Sequence, residues 1–242
     1  MELLSHIPYF SELVDFLFPP LCLGCGGYND SDQLACNDCV RRLQIVDDPT
    51  CINCGSIIPF GNTCPVCGGE ALLLYSDSLY VGPMEQIIVQ YKFHGLTSPA
   101  EWFAERLVDR FGDRLAALDV EAIVPVPLHP SRQSKRGYNQ AALFAKRLAE
   151  RLDVPVHENV VVRTKNCRPQ SRLAPDQREK NVKGAFKAIE DVAPLRLILV
   201  DDVVTTGSTI VELASEVQRA GHTVAGLVSM ARTQESLFCT RA

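Results

Sequence analysis

From residue 75 onward the apolar positions follow two rhythms. Short continuous runs suited to buried strands occupy residues 75–82, 156–163, 196–200 and 223–230. Ala122-Ile123-Val124 makes another, closed by Pro125 and Pro127. Between these runs the spacing changes to three and four. Residues 83–92 open on Pro83 and set Met84, Ile87, Ile88 and Tyr91 on one helical face. Ser98-Pro99-Ala100-Glu101 reads as a capping box with proline at the first helical position. The helix it opens aligns Phe103, Leu107, Phe111, Leu115 and Leu118. Residues 140–152 and 208–220 are further helices, the second stopped by Gly221. Strands alternating with helices predict an α/β domain over 76–242, a mostly parallel sheet with helices on both faces. In such sheets ligands bind beyond the carboxyl ends of the strands. One stretch keeps neither rhythm: residues 164–182, TKNCRPQSRLAPDQREKNV, predict a long polar loop of the kind that serves as a lid.

Before residue 75 there is no room for a core, so residues 1–75 predict a small module stabilised by metal. Eight of the ten cysteines form four C-x-x-C pairs: Cys22-Cys25, Cys36-Cys39, Cys51-Cys54 and Cys64-Cys67. Each pair turns two sulfurs toward one point, and two pairs make a tetrahedral thiolate cage for zinc. Gly24, Gly26, Gly27, Gly55, Gly68 and Gly69 allow tight turns there, and Pro65 stiffens the last knuckle. Redox pairs are the rival reading, and four in series without a βαβ context argue against it. Two zinc ions are expected. Pairing in sequence order closes the shortest loops at the least entropic cost, with interleaved pairing as the alternative.

The segment LLSHIPYFSELVDFLFPP is broken by His6, Pro8, Glu12 and Asp15, with no Lys or Arg ahead of it. It reads as neither a membrane span nor a secretory signal, but as a short amphipathic segment packed on a cytoplasmic protein. Charge then divides the chain. Residues 1–75 hold 9 acidic and 2 basic side chains, a net of −7. Residues 128–187 hold 14 basic and 5 acidic, a net of +9. A basic island in a chain of net charge −5 points to an anionic ligand, although a solvated face would show the same surplus. Two four-thiolate zinc sites, each of net charge −2, would take the first module from −7 to −11. Phosphate contacts need Lys or Arg, so this module predicts a structural or protein-docking element that does not bind DNA by itself.

The sharpest chemistry lies in LVDDVVTTGST, residues 199–209. A buried strand ends in Asp201-Asp202, and Thr205-Thr206-Gly207-Ser208-Thr209 leads directly into a helix. The turn's backbone N–H groups and hydroxyls suit a phosphate. The two carboxylates would repel one, but they accept hydrogen bonds from neutral hydroxyls. A phosphate beside a vicinal diol is a ribose 5-phosphate. A pair of turn-capping aspartates is the bland rival.

That stretch resembles the phosphoribosyl-pyrophosphate motif of type I phosphoribosyltransferases. VPVPLHPSRQSKRGYNQA (124–141), PQSRLAPDQREKNVKGAF (169–186) and YKFHG (91–95) further resemble the ComF family of competence-associated proteins, where a double zinc ribbon precedes a phosphoribosyltransferase-like domain. The resemblance covers essentially the whole chain. It implies that Asp201 and Asp202 hold the ribose hydroxyls and that Thr205 to Thr209 hold the 5-phosphate. It puts pyrophosphate at the turn after Pro127, with Arg132, Lys135 and Arg136. It makes 164–182, with Lys165 and Arg168, a mobile hood over the reacting centre. Magnesium would accompany phosphoribosyl pyrophosphate, and displacement at the anomeric carbon would pass through an oxocarbenium-like state. The resemblance leaves three functions open: a transferase with an unknown acceptor, a non-catalytic sensor of phosphoribosyl pyrophosphate or a nucleotide, and a DNA-handling protein whose partners include single-stranded DNA or proteins of the uptake machinery. Tyr138-Asn139 reads as packing and capping the next helix, Cys167 as an incidental loop thiol, and Lys92 and His94 carry no assigned role.

Overall fold

The computed structural model describes residues 19–234 except 32, 94, 168–174 and 190–191. The expected N-terminal amphipathic segment, His94 and Arg168 lie outside the described residues. No described helix is long and apolar enough to cross a membrane.

The cysteine-rich region contains a short helix α1 (Asn37–Arg41) and three two-residue strands, β1 (Thr50–Cys51), β2 (Thr63–Cys64) and β3 (Gly69–Glu70), of which β2 and β3 pair as a hairpin. It does not stand apart from the α/β domain. β1 pairs antiparallel with β4 (Leu73–Leu79), so the cysteine-rich region supplies the edge of the main sheet. Its apolar side chains sink into the same cores: Leu43 and Ile58 cluster with Met84 and Ile87, and Ile52 clusters with Leu74.

Beyond β4 the chain runs through α2 (Pro83–Phe93), α3 (Ser98–Ala116), β5 (Ala122–Pro125), α4 (Pro130–Arg136), α5 (Gln140–Leu152), β6 (Val161–Arg163), α6 (Pro175–Val182), β7 (Phe186–Ala188), β8 (Arg196–Val204), α7 (Ser208–Arg219) and β9 (Thr223–Arg232). The main sheet has the order β1-β4-β9-β8-β5, with all neighbours from β4 to β5 parallel. Alternation along β8 fills both faces. Ile198 and Val200 join Phe103, Leu107, Phe144 and Leu148 of α3 and α5, while Leu197 and Leu199 join Ile210, Leu213 and Val217 of α7. Each such buried aliphatic or aromatic side chain contributes about 1.5–3 kcal/mol. The fold class read from the sequence is therefore the one observed.

Several local expectations are corrected. α3 opens at Ser98 with Thr97 at the cap position and no side-chain capping bond, so the capping box does not form. Thr97 already has φ −104° and ψ −20°, which draws Ser98 into the first turn. The run 156–163 does not form one strand. Val156 bridges Ile123 at the sheet edge, and only Val161–Arg163 pairs, antiparallel, with β7 in a separate two-stranded arm. The stretch 164–182 is not wholly irregular, since its second half is α6. That helix lies beside α7 and lacks the apolar face that would have announced it. β8 runs four residues past its predicted end because β9 keeps pairing with it as far as Val204↔Arg232.

Candidate functional site

Two sites emerge, one from local chain geometry and one from distant segments. The local one is the pair of cysteine cages. Cys22, Cys25, Cys36 and Cys39 converge, as do Cys51, Cys54, Cys64 and Cys67, with all sulfurs of each set within 4.8 Å of one another. Pairing in sequence order is thus observed and interleaving is not. Zinc–sulfur bonds of about 2.3 Å place the corners of a tetrahedron about 3.8 Å apart. Cys25 and Cys36 sulfurs lie 4.0 Å apart, Cys51 and Cys67 3.9 Å, and Cys54 and Cys64 3.4 Å. All nine described cysteines are free of disulfides. The cages therefore fit zinc by donor type and spacing.

The knuckles explain themselves. Gly26, Gly55 and Gly68, each directly after the second cysteine of a pair, have φ of 72°, 73° and 74°, a conformation a side chain resists. Their N–H groups bond back to the carbonyls of Cys22, Cys51 and Cys64. The pair Cys36-Cys39 needs no such glycine because it enters α1 instead. Gly24 serves a different purpose: a Cβ there would stand 3.0 Å from the Cys39 sulfur and 3.2 Å from the Pro83 Cβ. The first cage is thereby seated on the start of α2. Backbone amides favour the thiolate at one cysteine of each cage, while burial raises Cys39 and Cys51 and the neighbouring Cys54 thiol raises Cys67. Burial opposes ionisation of Cys22, but the amides of Cys36, Cys25 and Gly24 outweigh it and lower the thiol to about 6. The Cys67 amide, 3.3 Å away, lowers Cys64 to about 6 despite burial.

The second site is a crevice between β5 and β8. The chain leaving β8 crosses through α7 toward β9, whereas the chain leaving β5 returns on its far side, where Val156 bridges Ile123. The direction of winding reverses between the two strands, which is where open α/β sheets hold ligands. β5 pairs only as far as Pro125↔Val200. Asp201 and Asp202 come immediately after, bound to β9 on one side and open on the other. Asp201 is partly buried, and burial together with the charge of Asp202 pushes its carboxyl up to about 7. The Asp202 N–H, donating to Asp201 Oδ1 at 2.8 Å, and the charges of Lys92 and Arg163 pull the other way. Next, Gly207 with φ 70° caps α7, and Thr206 Oγ1 meets Ser208 Oγ at 2.8 Å. Thr205, Gly207, Ser208 and Thr209 complete this turn at the carboxyl edge of β8. The first amides of a helix lack intrahelical acceptors, so the turn leads into a place suited to anions.

The remaining candidates are distributed differently. Arg132 on α4 donates to the carbonyl of Cys167 and is partly buried. Arg136 lies over the Phe93 ring at 5.4 Å and donates to Gln140 Oε1 at 3.0 Å, tying α4 to α2 and α5. Lys135 is exposed. Lys165 donates to the Lys183 carbonyl at 2.7 Å across the two sides of the arm. Asn139 caps α5 by accepting from Ala141 N at 3.1 Å, and Tyr138 donates to the carbonyls of Tyr91 and Leu96, both as the sequence leads one to expect. Two residues bear on this site without having been assigned a role from the sequence. Lys92, at the end of α2, places Nζ 3.0 Å from Asp202 Oδ1, with both side chains largely buried. Arg163, the last residue of β6, is 9% exposed and lies 5.2 Å over the Phe186 ring. Arg163 falls in the inward phase of β6, Val161 in, Val162 out, Arg163 in, a phase that three consecutive valines do not disclose.

Comparison with known proteins fits this division. Residues 13–68 match the double zinc ribbon domain and residues 139–238 the phosphoribosyl transferase domain. Competence protein F of Haemophilus influenzae is 31% identical over 222 residues, covering 83% of this chain and 91% of that one. DNA utilization protein YhgH of Escherichia coli K12 is 30% identical over 225 residues, covering 88% and 94%. Competence protein ComFC of Bacillus subtilis is 26% identical over 188 residues, covering 74% and 75%. A solved orotate phosphoribosyltransferase from Aeropyrum pernix is 20% identical with a TM-score of 0.37, covering 66% of this chain and 69% of that one, an overlay too weak to bear on activity.

Proposed function

This chain belongs to the ComF family, and from that premise we propose that its phosphoribosyltransferase-like domain binds phosphoribosyl pyrophosphate with magnesium in the crevice between β5 and β8. One observation carries the reading: Asp201 and Asp202 project past the end of β5, and the Gly207 turn and the start of α7 come after them within one continuous segment. Ribose hydroxyls would donate to the two carboxylates. Thr205, Thr206, Gly207, Ser208 and Thr209 would cradle the 5-phosphate with backbone amides and hydroxyls. Lys92 would orient Asp202 through its ion pair. Two adjacent carboxylates met by one ammonium group suit a ligand that brings its own cation. Magnesium, bound with the ligand, would neutralise its diphosphate. Arg132, Lys135 and Arg136 at the turn after Pro127, and Lys165 with Arg168 in the arm, are the cationic candidates around that diphosphate.

The cysteine cages would hold two structural zinc ions, since their sulfurs match a tetrahedral site and the region shares the domain's cores. The names of the relatives support a role in DNA uptake, with phosphoribosyl pyrophosphate or a nucleotide as ligand and single-stranded DNA or uptake proteins as partners. Calorimetric titration of the zinc-loaded full chain with phosphoribosyl pyrophosphate and magnesium tests the reading. Saturable binding supports it, and no heat at millimolar ligand overturns it. An acceptor screen for pyrophosphate release then separates a transferase from a sensor.

A further inference from the structure

The helix that begins at the Gly207 turn carries two carboxylates on one row. Ser208, Glu212 and Glu216 stand four residues apart along α7, so they follow one another on a single face. The row starts at the turn itself, where Ser208 Oγ meets Thr206 Oγ1 at 2.8 Å. Further along, Glu212 Oε1 accepts the Gly184 N–H at 2.7 Å, and Glu216 Oε1 accepts the Ala188 N–H at 3.1 Å. Gly184 lies between α6 and β7, and Ala188 ends β7, so both carboxylates hold the main chain of the arm's returning side. Arg219, one turn beyond, steadies Glu216 with Nη1 2.5 Å from Oε2. Packing supports the same contact. α6 and β7 both lie against α7, and Val182, Ala185 and Phe186 are buried in one cluster with Ile210, Leu213 and Val217. Gly184 has φ 63°, and a Cβ there would stand 3.3 Å from Lys165 Nζ, so glycine lets the main chain turn close to both Glu212 and Lys165. The arm itself has only three residues in each strand. A two-stranded ribbon of that size is marginal alone, so the arm takes its position from α7.

We propose that Glu212 and Glu216 are positioning residues that fasten the arm to the helix whose first turn receives the ligand's phosphate, so that occupancy of residues 205–209 also fixes the arm. This rests on the ribose-phosphate reading of Asp201 to Thr209. Neither carboxylate need touch the ligand, because α7 is the rigid element between the turn and the two bonds. A carboxylate accepting from a backbone N–H makes a charge-assisted bond, roughly twice as strong as a neutral one. Gripping main chain instead of side chains also leaves the arm's side chains free to face elsewhere.

The test is amide hydrogen exchange on the zinc-loaded full chain, with ribose 5-phosphate as the probe. This probe has no diphosphate, so protection in the arm cannot come from arm side chains holding one. In the parent chain it should slow exchange at residues 205–211 and at 183–189 together. Glu212→Ala and Glu216→Ala are each checked by thermal melting. Without the probe, each should speed exchange at 183–189 by about 10- to 100-fold. With it, each should keep the protection at 205–211 and lose it at 183–189. Glu212→Gln keeps an acceptor oxygen and should fall between the parent and Glu212→Ala, an order that a loss of packing alone would not produce. Should Glu212→Ala fail to melt cooperatively, Glu212→Gln and Glu216→Ala carry the comparison. Arm exchange unchanged in the Ala variants, or Glu212→Gln as fast as Glu212→Ala, overturns the fastening. Protection at 205–211 that never reaches 183–189 in the parent overturns the coupling and leaves the ribose-phosphate reading standing. No protection at 205–211 at millimolar probe removes that reading and the coupling with it, while exchange without the probe still decides the fastening.

Discussion

The cysteine cages and the crevice are built on opposite plans. Each cage closes within 18 residues of chain, from Cys22 to Cys39 and from Cys51 to Cys67, and every ligand sits on a turn or a short element whose geometry its neighbours dictate. The crevice joins Lys92 from α2 to Asp201-Asp202 from β8, and the charge of Arg163 from β6 acts on Asp201, segments that meet only once the sheet has formed. Local geometry can be read from spacing, whereas assembled geometry needs the topology. Yet the two plans are joined. The first cage rests on Pro83 at one end of α2, and Lys92 at the other end reaches Asp202.

The largest expected effect tests that joint. Structural zinc contributes roughly 10–16 kcal/mol in isolated zinc-finger peptides, so removing it should disrupt the cages outright. Cys39→Ser, beside Pro83, should reduce zinc to about one ion per chain and weaken phosphoribosyl pyrophosphate at least about tenfold through displacement of α2. Cys67→Ser, an exposed ligand of the second cage, should also cost one zinc but leave ligand affinity within about threefold. Metal analysis with calorimetry reads both. Equal ligand affinity in the two variants would separate the cages from the crevice.

Replacing both Asp201 and Asp202 by Asn should lower phosphoribosyl pyrophosphate affinity by roughly two to four powers of ten, since hydrogen bonds to charged groups are worth about 1.5–3 kcal/mol each. Lys92→Met should cost about tenfold in the same titration, because it removes the counter-charge from Asp202 without removing an acceptor. Unchanged affinity in the double Asn variant would end the ribose assignment.

A smaller effect has a definite sign. Burial and Asp202 raise the Asp201 carboxyl to about 7, above its usual range. The folded chain therefore binds more protons there than the unfolded chain between about pH 4 and 7, and stability falls as pH rises through that window. Asp201→Asn removes this penalty. It should stabilise the unliganded protein by about 1–2 kcal/mol at pH 8, discounted because Asp201 is only partly buried, and by little at pH 5. Thermal melts at the two pH values check it. Equal effects at both would show that the pair is not strained.

The same contrast explains how much was legible in the sequence. The eight cysteines, their sequence-order pairing and the Asp-Asp–turn–helix segment were readable because each lies within one short stretch. Lys92 was not, because its partner is 110 positions away and becomes a neighbour only through packing of α2 on the sheet. Arg163 was hidden because it follows three consecutive valines, which leave the inward phase of β6 unmarked. α6 escaped because a helix that shows no apolar stripe leaves no period to detect. The turn after Pro127 is legibly basic, but its side chains have separate tasks, with Arg136 serving as a strut and Arg132 facing the arm.

The smallest expected effect is none. Arg41 and Arg42 are the only basic residues of residues 1–75, and Arg41 is already paired with Asp38 at 2.6 Å. Replacing both by Ala in the full chain should leave any single-stranded DNA affinity unchanged and its salt dependence intact, because contacts would come from the basic island at 128–187. Anisotropy titrations at two salt concentrations decide this, and a large loss would move the DNA contact to the cages.

Ligand binding in the crevice is read most directly by amide hydrogen exchange on the zinc-loaded full chain, with and without phosphoribosyl pyrophosphate and magnesium. Slower exchange is expected across residues 205–211, where the turn enters α7, with residues 22–70 unchanged. Binding heat accompanied by no protection at 205–211, or by protection confined to the cysteine cages, would contradict a ribose-phosphate site at the end of β8.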